Sequence, residues 1–438
     1  VLAVEGKWSK SSIDGKGDPF PSHKIESNLC RRDVSNLFSK EGIVMKGTAV
    51  ILLCVFVLAA FIAPARAAAD SGGLRQLAQF EGGALYGAGP VKVVDLRGSY
   101  RQMGRQYGHL MRKDLRALYD AAITGEYMQK QKFTPERLKT IAYSFYDLYP
   151  LRYREIFKGM AETSGMTLDE LVLLNAIEFF PKINHLQYNC SALAVWGDYT
   201  KDRSVVFGRN NDDSPFFKEF ASFVNVVVFR PGDGSNPTAI VNYAGAMYAP
   251  NGLNSKGVFL ELNGGPWEGF YLKRPTVFVS LFTFLQDFST LDQVSAALAS
   301  TKMNMCSIVT MADKDKACSL ECSSREAKMC KGEREGIVAA ANHFVHPDWE
   351  LSQLDDRRGG LTMTRRNNLL ALGERFKGQF DAGKMMEVFD TTIENGGATS
   401  PEGTIFQIVA VPGKLVMWIK APGAFDWTEV DLSRLLKD

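Results

Sequence analysis

A layered α+β fold is what the sequence predicts, and a change of period near residues 181–190 is the main reason. From Asp70 to about Phe180 apolar residues recur mostly at helical spacing. After Cys190 they recur in short strand-like runs broken by Gly, Asp, Asn and Pro, with further helical stretches between them. Helices followed by strands mixed with helices suggest layered packing, not a doubly wound parallel sheet. Composition agrees: 438 residues, 45% apolar and 23% charged, can bury a large core. A net charge of +2 gives no electrostatic argument for a nucleic-acid partner. Zinc-finger spacing, a phosphate-binding glycine loop, heptads, internal repeats and low-complexity stretches in the region after residue 69 do not occur.

The N-terminal region reads as targeting sequence. Met45-Lys46 precedes an apolar run from Ala49 to Ala63, and Pro64-Ala65-Arg66-Ala67-Ala68-Ala69 supplies small residues at A-x-A spacing. These are the parts of a secretory signal peptide, with cleavage after Ala67 or Ala69 fitting equally well. A signal anchor is the competing reading, because Gly47 to Ala65 is uncharged over nearly a membrane span. Residues 1–44 are polar and aperiodic, and are expected to be an upstream extension with Met45 as the true start.

The helices follow in order. Gly98-Ser99 opens an amphipathic run, Tyr100 to Ile123, that carries Gly104 and Gly108 four residues apart. Two glycines on one helix face each cost about 1 kcal/mol relative to alanine, and so predict close approach of another backbone. Thr134-Pro135 supplies an N-cap and a first-turn proline for the next helix. A helix from about Arg152 to Ser164 stops at Gly165. Thr167-Leu168-Asp169-Glu170 is a capping box ahead of the apolar run Leu171–Phe180, which Pro181 closes.

Strands are expected at Cys190–Trp196, Ser204–Arg209, Phe223–Phe229, Ala239–Tyr243 and Val258–Leu262. A helical stretch from about Val277 to Ser300 can restart at Thr290. Strands return at Cys306–Met311, Ala317–Cys322 and Gly336–Ala341. Helices at about Thr362–Phe376 and Gly383–Thr391 precede a last strand pair, Thr404–Val411 and Lys414–Lys420.

Of seven cysteines, five lie beyond the signal: Cys190, Cys306, Cys318, Cys322 and Cys330. The last four are close enough in sequence for one or two disulfides, with the pairing open; a zinc site is the weaker alternative, since no histidine lies near and C-x3-C is not a usual knuckle. Cys190 is then the thiol left over. A thiol nucleophile needs a base. His109, His185, His343 and His346 are available, but none carries a marked acidic partner. The other source of a base is the α-amino group of an N-terminal cysteine, whose pKa of about 7.7–8.0 suits it to take a thiol proton. That requires the Asn189–Cys190 bond to be cut, which the thiol itself achieves by attacking the Asn189 carbonyl. Asn189-Cys190-Ser191 is also an N-glycosylation sequon. The apolar strand that follows argues for burial and against a glycan.

Cys190-Ser191-Ala192, followed by Gly208-Arg209-Asn210-Asn211-Asp212, resembles the choloylglycine hydrolase and acid ceramidase group of N-terminal nucleophile hydrolases. The glycine-bearing helix from Gly98 resembles the penicillin acyltransferase-like branch of that group. The resemblance spans about Gly98 to Lys420. It implies a four-layer αββα sandwich, with 70–189 as a helical fragment and 190–438 as the catalytic fragment of one precursor.

It also implies residue roles. Cys190 matches the nucleophile, and Asn189 with Cys190 the autoprocessing junction. Arg209 and Asp212 match the pair that orients amine and thiol. Asn263 matches an oxyanion-hole donor, and Asn342 a second asparagine at the nucleophile or substrate carbonyl. Arg365 matches a further active-site arginine, with Arg366 as the alternative. Trp267, Phe270 and Tyr271 are candidates for an acyl pocket. The implied activity is hydrolysis of linear N-acyl amides through an acyl-thioester on Cys190, with no cofactor and no metal. The expected partners are a small-molecule N-acyl amide and the two self-cleaved fragments held together. Neither nucleic acid nor a stable membrane span after signal cleavage is expected. Localisation follows the signal: secreted or lysosomal/vacuolar, or periplasmic if bacterial. An acyltransferase using the same thioester is the alternative. A secreted or signal-anchored binding protein with an inert Cys190 is the alternative of another class. Each matched residue also has an ordinary reading as a turn, cap or surface ion pair.

Overall fold

The computed structural model describes residues 73–181, 190–266, 269–330, 332, 334–349 and 361–437. The readings for 1–44 and 45–69, and those for His185, Asn189 and Trp267, lie outside the described residues. Strands run in chain order as β1 (Arg75–Phe80), β2 (Gly83–Ala88), β3 (Val91–Gly98), β4 (Ser191–Val195), β5 (Val206–Asp212), β6 (Val224–Pro231), β7 (Thr238–Tyr243) and β8 (Asn251–Asn254). They continue as β9 (Phe259–Gly264), β10 (Ser307–Ala312), β11 (Ala317–Cys322), β12 (Ala327–Cys330), β13 (Ile337–Ala340), β14 (Thr404–Val411), β15 (Val416–Ala421) and β16 (Phe425–Asp431). The helices are α1 (Tyr100–Leu110), α2 (Arg112–Leu118), α3 (Pro135–Tyr146), α4 (Leu151–Thr163), α5 (Leu168–Asn175), α6 (Val277–Asp287), α7 (Leu291–Ser300), α8 (Thr362–Arg375), α9 (Ala382–Asp390) and α10 (Ser433–Lys437).

Two sheets face one another. One has ten strands in the order β1-β2-β3-β6-β7-β8-β9-β10-β11-β12, and the other six in the order β13-β4-β5-β14-β15-β16. Pairing is antiparallel apart from β3 with β6, which run parallel. Strand alternation explains how β4 can be buried on both sides. Ala192 and Ala194 face the other sheet, while Leu193 and Val195 join Leu369 of α8 and Met385, Val388 and Phe389 of α9 in a separate apolar cluster. Helices α6 and α7 cover the larger sheet: a side chain at Gly252 of β8 would strike Leu285, and Ser295 touches Met311. The order is therefore helix, sheet, sheet, helix. This is a four-layer αββα sandwich.

The expected helix caps are present. Thr134 Oγ1 accepts from the Arg137 amide, Thr167 and Glu170 form a capping box, and Thr290 restarts the chain as α7. The glycine pair does what its spacing predicts. A Cβ on Gly104 would lie 2.1 Å from the Ile156 carbonyl oxygen, and one on Gly159 2.1 Å from that of Arg101. Helices α1 and α4 thus cross with their backbones nearly touching.

Several expectations need correction. The 70–189 fragment is not simply helical, because it opens with β1, β2 and β3, which enter the ten-stranded sheet. Its hairpin is made by Glu81 (φ 46°) and Gly82 (φ 84°), a two-residue turn of the kind that twists with its strands. The edge strand β1 is exposed along nearly its whole length, so it carries no apolar alternation to betray it. The edge strands β12 and β16 escape the pattern for similar reasons, whereas β8 is buried but only four residues long, with Asn at both ends and Gly between. The run Leu171–Phe180 is helical only to Asn175 and turns thereafter. No disulfide joins the five cysteines from Cys190 onward. In the register Cys318 faces Met311, Cys322 faces Ser307 and Cys330 faces Ser319, so no two of these are cross-strand partners.

Candidate active site

Cys190 sits immediately before β4, 3% exposed. Because β4 pairs with β5 so that Ala192 opposes Arg209, strand alternation puts Cys190, Arg209 and Asn211 on the inter-sheet face. One Arg209 nitrogen, Nη2, donates to Asn211 Oδ1 at 2.7 Å and lies 3.6 Å from Cys190 Sγ. The other, Nη1, donates to the Pro250 carbonyl at 2.7 Å and lies 3.2 Å from Glu261 Oε2 across the sandwich. The thiol in turn points at the Asp212 carbonyl oxygen, 3.6 Å away.

The Arg209–Asp212 segment, expected as a turn, is the end of strand β5. Its polar residues tolerate burial because each face of the strand has partners. Gly208 leaves room for the Phe389 ring of α9, which would lie 2.2 Å from a Cβ there. Asn210 fastens the strands on the helix-facing side, donating to Ser191 Oγ and accepting from Thr399 Oγ1 and Gln407 Nε2. Opposite the Asn211–Asp212 step, β14 carries an extra residue at Ile405, a bulge that breaks the ladder where the site begins.

Arg365 enters from α8. Its Nη1 donates to the Cys190 carbonyl at 2.8 Å and lies 3.8 Å from Asp212 Oδ2, while Nη2 donates to Asn342 Oδ1 at 2.9 Å. Asn342, just past β13, donates to the Gly264 carbonyl at 2.8 Å, which ties it to the end of β9. Between the two candidate arginines the geometry separates cleanly: Arg366 Nε donates to the Ala339 carbonyl, and its side chain lines a different cavity.

Asn263 is fully buried on β9, and neither its amide nitrogen nor its oxygen has a hydrogen-bond partner among the described residues. A buried, unpaired amide is costly in a purely structural role. It is what a donor waiting for a substrate oxygen looks like. The Asp212 carboxylate is buried as well, with Arg365 Nη1 3.8 Å from Oδ2 and the Thr404 side chain as its hydrogen-bonding neighbour.

Burial governs the ionisation of the cluster. It pushes the Cys190 thiol up to about 11, against the pull of Arg209. It pushes Asp212 up to about 6 against Arg365, Thr404 and Arg209, and Glu261 up to about 7 against Arg209 and Thr310. With its backbone intact at residue 190, the thiol is therefore protonated at neutral pH and needs a base. His109 stacks on Phe80, His343 contacts Thr362 and His346 lies beside Asp348, and none of the three lines the cavity against Cys190.

The cavity against Cys190 is lined by Glu178, Arg209, Asn211, Asp212, Asp213, Pro250, Leu262, Gly264 and Phe278, with about 10 Å³ of free space, roughly one water. Phe270 and Tyr271 do not line it. Past Gly264 the chain turns outward, Phe270 packs edge-on against Phe145, and Tyr271 is 37% exposed under the Arg274 guanidinium. Two lining or adjoining carboxylates, Glu178 and Glu261, escaped the sequence reading. Each was visible as a single charge in an apolar run, Ala176-Ile177-Glu178-Phe179-Phe180 and Val258-Phe259-Leu260-Glu261-Leu262. Among the described residues no group of His, Cys, Asp and Glu is arranged to hold a metal ion.

No protein-family profile matches the sequence, and no curated protein matches it. Among solved structures the chain is similar to a Caenorhabditis elegans N-acylethanolamine-hydrolyzing acid amidase ortholog, at 17% identity and a TM-score of 0.40, over 56% of this chain and 100% of that one. It is also similar to a mutant of conjugated bile acid hydrolase from Clostridium perfringens, at 15% identity and a TM-score of 0.38, over 56% and 93% of the two chains. A third likeness is to penicillin V acylase from Agrobacterium tumefaciens, at 12% identity and a TM-score of 0.39, over 56% and 87%.

Proposed function

We propose that this chain is a self-processing cysteine amidohydrolase that cleaves the C–N bond of linear N-acyl amides through an acyl-thioester on Cys190. One observation carries the reading: a buried thiol, Arg209, Asp212, Asn342 and Arg365 come from separate elements and are joined by short contacts, while the buried Asn263, whose amide has no hydrogen-bond partner among the described residues, precedes Gly264, to which Asn342 bonds. Convergence of a nucleophile, charge partners and a vacant amide is a catalytic arrangement, whereas isolated turn or ion-pair roles would scatter these residues.

In the proposed processing step the Cys190 sulfur attacks the Asn189 carbonyl carbon. An S–C bond forms, the Asn189–Cys190 C–N bond breaks, and the nitrogen takes the thiol proton to become an α-amine. Water then hydrolyses the thioester and frees the Asn189 carboxylate. The new amine is a base of suitable strength for the next proton, which resolves how a thiol held up by burial can act. In turnover the sulfur attacks the amide carbonyl, the amine product leaves with a proton, and water releases the acid. In this reading Asn263, with Asn342 in support, is the proposed donor for the oxyanion.

The proposed setting is the secretory pathway, following the signal-like segment at 45–69. N-terminal sequencing of the purified protein tests both claims, with fragments beginning at Asp70 (or Ala68) and at Cys190 expected. A single uncut polypeptide that remains fully active would overturn self-processing. Hydrolysis of an N-acyl amide panel by a Cys190→Ala variant at the wild-type rate would overturn the catalytic assignment and favour an inert-cysteine binding protein.

A further inference from the structure

Asn211 stands directly across the sheet from Cys190. The β4–β5 register pairs Ala192 with Arg209 and Ser191 with Asn210, and one step further it sets Cys190 opposite Asn211. On the other side Asn211 pairs with Phe406 of β14, whose ring offers no polar atom. Asn211 is 4% exposed and lines the small cavity against Cys190. Its Oδ1 accepts from Arg209 Nη2 at 2.7 Å, which settles how the amide is turned. The NH2 is left facing away from the guanidinium, and it makes no hydrogen bond among the described residues. An amide held at one end, with its donor uncommitted, is a poor filler for a buried strand.

Acceptors complete the wall of that cavity. Asp213 and Glu178 are both buried there, anchored by the Ser214 amide, which donates to Asp213 Oδ1 at 2.7 Å, and by the Tyr248 hydroxyl, which donates to Glu178 Oε2. The free space of about 10 Å³ suits one water and is too small for an amine that carries a carbon chain. A donor and two acceptors around such a space are the partners that a single water needs.

We propose that Asn211 holds the water that attacks the acyl-thioester, and thereby selects water over an amine as the acyl acceptor. The inference deepens the amidohydrolase reading and rests on it. The water accepts a hydrogen bond from Asn211 with one lone pair and keeps the other for the acyl carbon, while a carboxylate of the wall holds one of its hydrogens. Its oxygen bonds the acyl carbon and the C–S bond breaks. The other hydrogen passes as a proton to the Cys190 α-amine and from there to sulfur, and the acid leaves with the first. The thiol chemistry is common to a hydrolase and an acyltransferase; the small polar cavity is what separates them here.

The test uses the processed protein, checked by intact mass to carry Cys190 at an N-terminus, with an N-acyl p-nitroanilide as acyl donor and glycinamide as competing amine. Release of p-nitroaniline reports acylation, and the ratio of acyl-glycinamide to free acid reports the choice of acceptor. Valine is near asparagine in size and suits a strand but offers no donor. Asn211→Val should raise the ratio about 10-fold, and an acyl adduct on the Cys190 fragment should accumulate in the mass spectrum. An unchanged ratio in a folded, processed variant overturns the proposal. A purely structural role would lower acylation and deacylation together and leave the ratio alone. Where Asn211→Val does not fold, Asn211→Ala removes the donor and widens the cavity, and must raise the ratio in the same way. An unchanged ratio alongside loss of hydrolysis in Cys190→Ala sinks this proposal alone, whereas wild-type hydrolysis by Cys190→Ala sinks the amidohydrolase reading with it.

Discussion

Arg365 reaches across 175 residues of sequence to donate a 2.8 Å hydrogen bond to the backbone carbonyl of Cys190. The outer helix α8 thereby holds the very residue whose amino side is the proposed cleavage junction, and it does so next to Asp212 and Asn342.

Arg365→Ala should leave the Asn342 oxygen, the Cys190 carbonyl and the Asp212 carboxylate short of a buried cation. Loss of one partner from such a set costs about 3–5 kcal/mol. Urea denaturation should show that loss, together with a fall in amide hydrolysis of about 100-fold or more. Arg366→Ala, on the neighbouring residue that bonds Ala339, should retain most of the activity.

Asn263→Ala separates catalysis from stability. If its amide is the oxyanion donor, kcat should fall by about 100- to 1000-fold with KM little changed. Its atoms have no hydrogen-bond partner among the described residues, so the thermal midpoint should hold steady or rise. A stability loss with unchanged kcat would contradict the assignment.

Asp212→Asn should make stability less dependent on pH. The folded-state carboxyl of Asp212 is raised to about 6 from an ordinary 3.8, so the folded protein holds this proton more tightly than the unfolded chain. Its relative stability is then greatest below about pH 4 and declines as pH rises towards 6, where the buried charge must form. Asparagine cannot ionise. The variant should therefore gain on wild type, by about 1–3 kcal/mol, above pH 6 but not at pH 4, while losing hydrolysis at both.

Gly104→Ala tests the packing of the first helical layer. The added methyl would meet the Ile156 carbonyl oxygen at 2.1 Å, backbone against backbone, with no flexible side chain to yield. Helices α1 and α4 would have to part, at a cost of about 3 kcal/mol or more. A drop in denaturation midpoint without direct damage to the Cys190 cluster is the expected result.

Much of the fold was legible because it is local. Caps at Thr134, Thr167 and Thr290, the glycine contact face of α1 and most strands after Cys190 follow from residue type and period alone. The three N-terminal strands were hidden because an exposed edge strand such as β1 needs no apolar alternation. In the site, Cys190, Arg209, Asp212, Asn263, Asn342 and Arg365 were recognisable through a motif and its resemblance. Glu178 and Glu261 were not, since a lone carboxylate in an apolar run announces burial without naming its partner.

What the sequence determined by itself was the layered α+β class, the helix starts and a suspect thiol at the head of a strand, all properties of neighbours within a few residues. Only the tertiary structure decided that Arg365 and not Arg366 meets Cys190, that Phe270 and Tyr271 stand away from the cavity, and that Arg209 is shared between a sulfur and Glu261. Those outcomes depend on strand register and on the meeting of two sheet faces. One residue of slip in β5 or β9 would turn Arg209 or Glu261 to the opposite face of its sheet.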